Sequence, residues 1–245
     1  MQIEYYKEYS HQLGRDMEFK RYGGASKPCI VFPCQDGRFF DYESFHMPEA
    51  ISSFIDGGKL QLFCVDSIDP ESWTSKGDPR ARIERHEAWY RYIVEELMPR
   101  IYQITGSAEK LMTTGCSMGA FHAANFFFRR PDIFDTVVAL SGLYQADYYF
   151  GDYCDDLVYA NSPILNLSNM PADHPYIDLY NRSRMIFCVG QGAWEDELLD
   201  STRRLDGILQ SKGIHAWVDY WGTDVNHDWP WWYKQMNYFL GNLFG

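Results

Sequence analysis

Short runs of apolar residues alternate along the chain with longer stretches in which apolar positions recur every three to four residues. The short runs are MEFKRYG (17–23), PCIVFPC (28–34), LQLFCVDS (60–67), KLMTTGC (110–116), TVVALSG (136–142), RMIFCVG (184–190) and HAWVDYWG (215–222). Four of them are almost continuously apolar, which is how strands buried on both faces of a parallel sheet read. Between them, ARIERHEAWYRYIVEELMPRIYQ (81–103), MGAFHAANFFFRR (118–130) and DELLDSTRRLDGILQSKG (196–213) carry helical spacing, and the last closes on Lys-Gly, a helix stop. Strand and helix alternating from end to end predict an α/β architecture: a doubly wound, mostly parallel sheet flanked by helices, in one domain over residues 1–245. The stretch 144–184 breaks the rhythm. Rich in Tyr, Asp, Asn and Pro, it predicts an insertion of loops and short helices lying over the sheet.

Composition narrows the partners. With 46% apolar and 17% aromatic residues, the chain has ample material for a large core. A formal net charge of −12 with no basic run argues against nucleic acid or an anionic membrane, because both select a positive face. No run reaches the apolar length of a membrane span. The polar start MQIEYYKEYSHQ lacks the basic-then-apolar pattern of a secretion signal, so a cytoplasmic location is expected. Cys29, Cys64, Cys116 and Cys188 sit in or beside strand-like runs, and no cysteine pair has C-x-x-C spacing. Reduced, buried thiols are expected, with no metal and no cofactor. Self-association into a homo-oligomer stays open.

The chemistry centres on TTGCSMGAFHAA (113–124), where Ser117 stands between Gly115 and Gly119. A G-x-S-x-G match arises by chance in about one chain in ten of this length, so its setting decides. Here a buried strand precedes the serine and an apolar helix follows it. That is the construction of a nucleophile elbow, a sharp turn in which side chains two residues either side would clash. A serine hydroxyl needs a base. On such a scaffold the order is serine, acid, histidine, which places the base on the loop after the last strand, and GTDVNHDWPWW supplies His227 there. His11, His46 and His86 come before the elbow, His174 lies in the insertion, His215 begins a strand, and His122 is on the helix after Ser117, where packing is its natural role. The acid should follow RMIFCVG, where QGAWEDELL offers Glu195, Asp196 and Glu197. Any of the three would also suit a helix N-terminus. Glu195, ending a Gly-x-x-acid run from Gly192, is preferred, Asp196 is next, and Asp224 is a more distant candidate. The oxyanion of the tetrahedral intermediate needs two backbone donors. One is the N–H of Met118; the other is that of Arg38 after Gly37, or of Gln35 if the loop QDGRFFDYE bends earlier.

The segments GCSMGAFHAANFFFRRPDIFDTVVALSG (115–142), FPCQDGRFFDYE and NHDWPWW together resemble the putative esterase family of α/β-hydrolases. That family includes S-formylglutathione hydrolases, enterochelin esterases, feruloyl and acetyl-xylan esterases and the antigen 85 mycolyltransferases. The resemblance runs from about residue 9 to the C-terminus. It implies Ser117 as nucleophile, His227 as base and Arg38 as the oxyanion-loop position after Asp-Gly, while GQGAWEDE is longer than the family's usual acid turn. It further implies hydrolysis of short-acyl or aromatic esters through an acyl-enzyme, on a small-molecule or sugar-linked substrate. An acyltransferase with the same triad, or an idle binding protein that kept the fold, are the competing outcomes. Tyr144, Tyr148, Tyr149, Phe150, Tyr153 and the WPWW run are expected either to wall the cleft or to pin its covering segments.

Overall fold

A computed structural model describes residues 1–24 and 26–245. Its eight strands are β1 (Ile3–Ser10), β2 (Arg15–Tyr22), β3 (Lys27–Phe32), β4 (Leu60–Val65), β5 (Leu111–Cys116), β6 (Phe134–Leu140), β7 (Arg184–Val189) and β8 (Trp217–Tyr220). They form one sheet in the order β1-β2-β4-β3-β5-β6-β7-β8. The six strands from β4 to β8 in that order run parallel, while β2 joins β4 and β1 joins β2 antiparallel.

Three short helices, α1 (Asp41–Ser44), α2 (Met47–Ala50) and α3 (Ser52–Asp56), fill the connection from β3 to β4. After β4, α4 (Pro79–Arg91) runs through a π-helical turn, Tyr92–Leu97, into α5 (Met98–Thr105). Asp78 caps α4 by accepting the Ala81 N–H, and Pro79 sits at the first helical position, where its missing N–H is no loss. The helix after β5 is α6 (Met118–Arg129). The segment between β6 and β7 folds as four short helices, α7 (Asp147–Phe150), α8 (Asp156–Ala160), α9 (Pro163–Asn169) and α10 (Pro175–Asn181). The helix α11 (Asp196–Ser211) precedes β8, and α12 (Trp229–Phe244) ends the chain.

The parallel strands are buried on both faces, so adjacent residues serve different cores. Along β3, Ile30 and Phe32 join the core under α4–α6 and α11, whereas Cys29 and Val31 join the one under α12 and α1–α3. The same parity holds on β4, with Phe63 and Val65 on one side and Leu62 and Cys64 on the other. Phe126 of α6 stacks on Phe32 at a ring separation of 4.8 Å. α6 is covered all round because it lies between the sheet and the short helices; eleven of its twelve residues are buried. A third cluster, with Trp73, Ile83, Phe121, Phe150 and Val158, pins the covering helices α7 and α8 to α4 and α6.

Periodicity missed β1. It is an edge strand whose burial alternates between exposed and half-buried, so its sequence IEYYKEYS offers no apolar run. All six cysteines are free thiols, with Cys29, Cys64, Cys116 and Cys188 buried. Among the described residues no helix is long and apolar enough to cross a membrane.

Candidate active site

At the end of β5 the backbone reverses through Ser117, which sits at φ 56°, ψ −124°. A non-glycine residue held there is strained, and the surroundings hold it: the Ser117 N–H donates to the Leu140 carbonyl at the end of β6, 2.9 Å away. The flanking glycines act on the backbone more than on the serine. A Cβ at Gly115 would overlap the main chain of Gly119, and one at Gly119 would overlap the Phe32 carbonyl oxygen at the end of β3. The turn therefore seats α6 directly on the two central strands. The neighbouring thiols are no competing nucleophiles, since burial pushes both Cys116 and Cys34 far up from the ordinary thiol range.

His227 follows β8, and its Nε2 lies 2.9 Å from Ser117 Oγ across 110 residues of sequence. The loop that carries it is laced to the loop after β7. The Gly192 N–H donates to the Val225 carbonyl at 2.8 Å, the Ala193 N–H to Asn226 Oδ1 at 2.8 Å, and the His227 N–H to the Ala193 carbonyl at 3.0 Å. This lacing needs bare backbone: a Cβ at Gly190 would overlap the Val225 carbonyl, and one at Gly192 would overlap Asn226 Oδ1.

Of the acids after β7, only Glu195 is buried; Asp196 and Glu197 are exposed in the first turn of α11, and Asp224 is exposed on the histidine loop. Glu195 Oε2 lies 3.5 Å from His227 Nδ1, and among the described residues neither atom has another polar partner. The other oxygen, Oε1, accepts the Ser141 hydroxyl at 2.6 Å. Ser141 in turn accepts the Trp232 indole N–H at 3.2 Å, and the Trp232 ring meets His227 edge-on at 4.9 Å. Ser141 and Asn226 escaped the sequence reading, and Trp232 entered it only as part of the WPWW run. A serine at the tip of a strand, an asparagine in a turn and one tryptophan among several carry no local signature; only a positive φ of 55° at Ser141, visible in three dimensions, sets it apart.

The cavity beside the serine has a volume of about 110 Å³ and is bordered by Gln35, Ser117, Met118, Tyr149, Glu197 and His227, among others. The Met118 N–H opens α6, where first-turn amides have no helical acceptor. The loop after β3 bends earlier than the reading that favoured Arg38 supposed. Gln35, not Arg38, borders the cavity, because the chain turns sharply straight after β3, with Asp36 at φ 58° and the Gly37 N–H returning to the Cys34 carbonyl. Arg38 lies beyond that turn, its guanidinium paired with Asp66 at 2.5 Å and Glu18 at 2.7 Å. From the covering segment, Tyr148 and Tyr149 reach the cavity, whereas Tyr144 and Phe150 are packed inside. The WPWW run does not wall it: Trp229 packs on Tyr42 and Phe45, and Trp232 braces His227.

A family model described as "Putative esterase" matches residues 10–243. The chain belongs to this esterase family. As a member it is a hydrolase of the serine esterase type. No curated protein matches the sequence. Among solved structures it is similar to a ferulic acid esterase at TM-score 0.77 and 15% identity, with 99% of each chain covered. It is also similar to S-formylglutathione hydrolase from Staphylococcus aureus, at TM-score 0.73 and 14% identity over 99% of this chain and 96% of that one. MPT51 of Mycobacterium tuberculosis follows at TM-score 0.70 and 14% identity, over 99% and 98%. At such identities these likenesses establish the fold, that of the α/β-hydrolases.

Proposed function

We propose that this esterase hydrolyses short-acyl carboxylic esters through an acyl-enzyme on Ser117, with His227 as general base and Glu195 as its orienting acid. The observation that carries the reading is the 2.9 Å contact between Ser117 Oγ and His227 Nε2, with the buried Glu195 behind the far ring nitrogen. Ser117 Oγ attacks the ester carbonyl as His227 Nε2 takes its proton; the imidazolium is stabilised by Glu195 and returns the proton to the leaving alcohol. Water then repeats the sequence on the acyl-enzyme. The developing oxyanion accepts from the N–H groups of Met118 and Gln35, the former aided by the N-terminal end of the α6 dipole.

Substrate size follows from the space available. The cavity of about 110 Å³ at Ser117 suits a small acyl group, and the exposed Glu197 carboxylate on its border disfavours an anionic one. Gln35, Tyr148 and Tyr149 also border a larger cavity of about 620 Å³, which would take the alcohol part. A fluorophosphonate probe should label the wild-type protein at Ser117 and leave Ser117→Ala unlabelled. p-Nitrophenyl acetate should be cleaved at least tenfold faster than the decanoate. Labelling that persists in Ser117→Ala would overturn the reading.

A further inference from the structure

Resting on the reading of Gln35 and Met118 as oxyanion donors, we infer that Asp69 is a positioning residue that, together with His122, clamps the loop carrying Gln35 to the helix carrying Met118. Asp69 lies in a short 3₁₀ turn after β4 and is 1% exposed. Its Oδ1 is 2.9 Å from Nε2 of His122, a wholly buried residue of α6. Its Oδ2 accepts the backbone N–H of Asp36 at 3.3 Å, the residue directly after Gln35. One carboxylate thus spans the two segments from which the oxyanion donors come.

The protonation of the pair follows from its partners. His122 Nδ1 has no hydrogen-bond partner among the described residues and lies among Phe32, Trp73, Trp89 and Phe121. An orphaned N–H there would cost more than an orphaned lone pair, so the stable arrangement has the proton on Nε2, donated to Asp69. A buried carboxylate is costly unless both oxygens are occupied, and here each is. An apolar side chain would fill the same space but hold neither partner; a side chain with two polar atoms is needed to hold His122 and Asp36 at once.

The loop needs holding. Asp36 is a non-glycine residue at φ 58°, a conformation that relaxes unless its neighbours enforce it. A second bond acts on the same residue: the Thr74 hydroxyl donates to Asp36 Oδ1 at 2.6 Å. Both bonds come from the stretch between β4 and α4, so this connection sets the position of the Gln35 peptide relative to α6. Oxyanion stabilisation depends on donor placement to within fractions of an ångström, which is where such a clamp would act.

The test compares Asp69→Ala, Asp69→Asn and Thr74→Val with wild type, using p-nitrophenyl acetate kinetics, inhibition by a trifluoromethyl ketone and thermal melting. The ketone adds to the serine and places its oxyanion in the same donors. Asp69→Ala should lower kcat about 30-fold with KM within about twofold, and weaken the ketone by a similar factor. Asp69→Asn can still accept from Asp36 and can donate to the other tautomer of His122, so it should recover to within about threefold of wild type. Thr74→Val, at a half-buried surface position, should fold and lose about threefold or more in kcat. A folded Asp69→Ala with kcat and ketone affinity within twofold of wild type would overturn the inference. Should Asp69→Ala fail to fold, an unchanged kcat in Thr74→Val would do so. Ser117→Ala in the same assay separates the two levels: if it retains activity the esterase mechanism itself is wrong, whereas its inactivity beside unaffected clamp variants removes the clamp alone.

Discussion

Ser117 and Glu195 make opposite demands on their surroundings, and single substitutions separate them. Ser117→Ala keeps the elbow geometry, since a methyl group fits where the hydroxyl was, and should lower kcat by about four orders of magnitude with little change in melting temperature. Residual rates near wild type in a folded variant would remove Ser117 from the reaction. For the acid, burial sets Glu195, the residue the sequence prefers, apart from its neighbours Asp196 and Glu197. Glu195→Gln should be slow yet stable, because the amide still packs but no longer favours the tautomer with a proton on Nδ1 of His227. Asp196→Asn and Glu197→Gln alter exposed first-turn charges and should change kcat by less than about threefold, at a stability cost below about 1 kcal/mol. A crippled Asp196→Asn beside a normal Glu195→Gln would reverse the assignment.

Within elements, glycine spacing shows which backbones must touch. Gly119 of α6 faces the Phe32 carbonyl, and a Cβ there would push α6 off β3. Gly119→Ala should therefore destabilise by about 2 kcal/mol or more, and also slow turnover, since Ser117 and Met118 ride on the same turn. Gly207 is the opposite case. It lies in the middle of α11, exposed, with nothing within 4 Å of where a Cβ would stand. Gly207→Ala should stabilise by about 1 kcal/mol, raising the melting temperature by roughly 2–4 °C with activity unchanged. Calorimetry of the two variants checks both signs. The flanking residues of the serine were legible as a motif; that Gly119 lets α6 touch β3 was not, because the partner strand lies more than eighty residues earlier in the chain.

At the scale of the molecule, a buried neutral histidine ties stability to pH. His86 accepts the Trp73 indole N–H on Nδ1 at 2.9 Å and has Nε2 3.0 Å from Asn161 Oδ1. Burial above all, with the nearby Arg129 charge, holds its pKa well below the ordinary histidine range. Below a pH of about 6.5 the unfolded chain binds a proton at this position that the folded protein refuses, so stability falls as pH falls. His86→Gln can reproduce both hydrogen bonds without titrating. Its melting temperature should fall less than that of wild type below that pH, and parallel curves for the two proteins would show that His86 is not the group responsible.

Hydrophobic periodicity alone determined the parallel sheet, the helices 118–130 and 196–213 and the inserted cover, because strands buried on both faces must be apolar at consecutive positions. It also determined Ser117 and the loop bearing His227, since strand, serine turn and helix are contiguous and the chain order of the partners is constrained. Tertiary structure decided everything that depends on one segment meeting another. It separated Glu195 from Asp196 by burying only one of them, and it brought Gln35 rather than Arg38 to the serine through a left-handed turn at Asp36. Ser141 and Trp232 stand behind the acid and the histidine from strands and helices far apart in sequence, and β1 pairs with β2 although its own residues are too polar to announce a strand. Local patterns record which face of an element is covered; they hold no record of which distant backbone covers it.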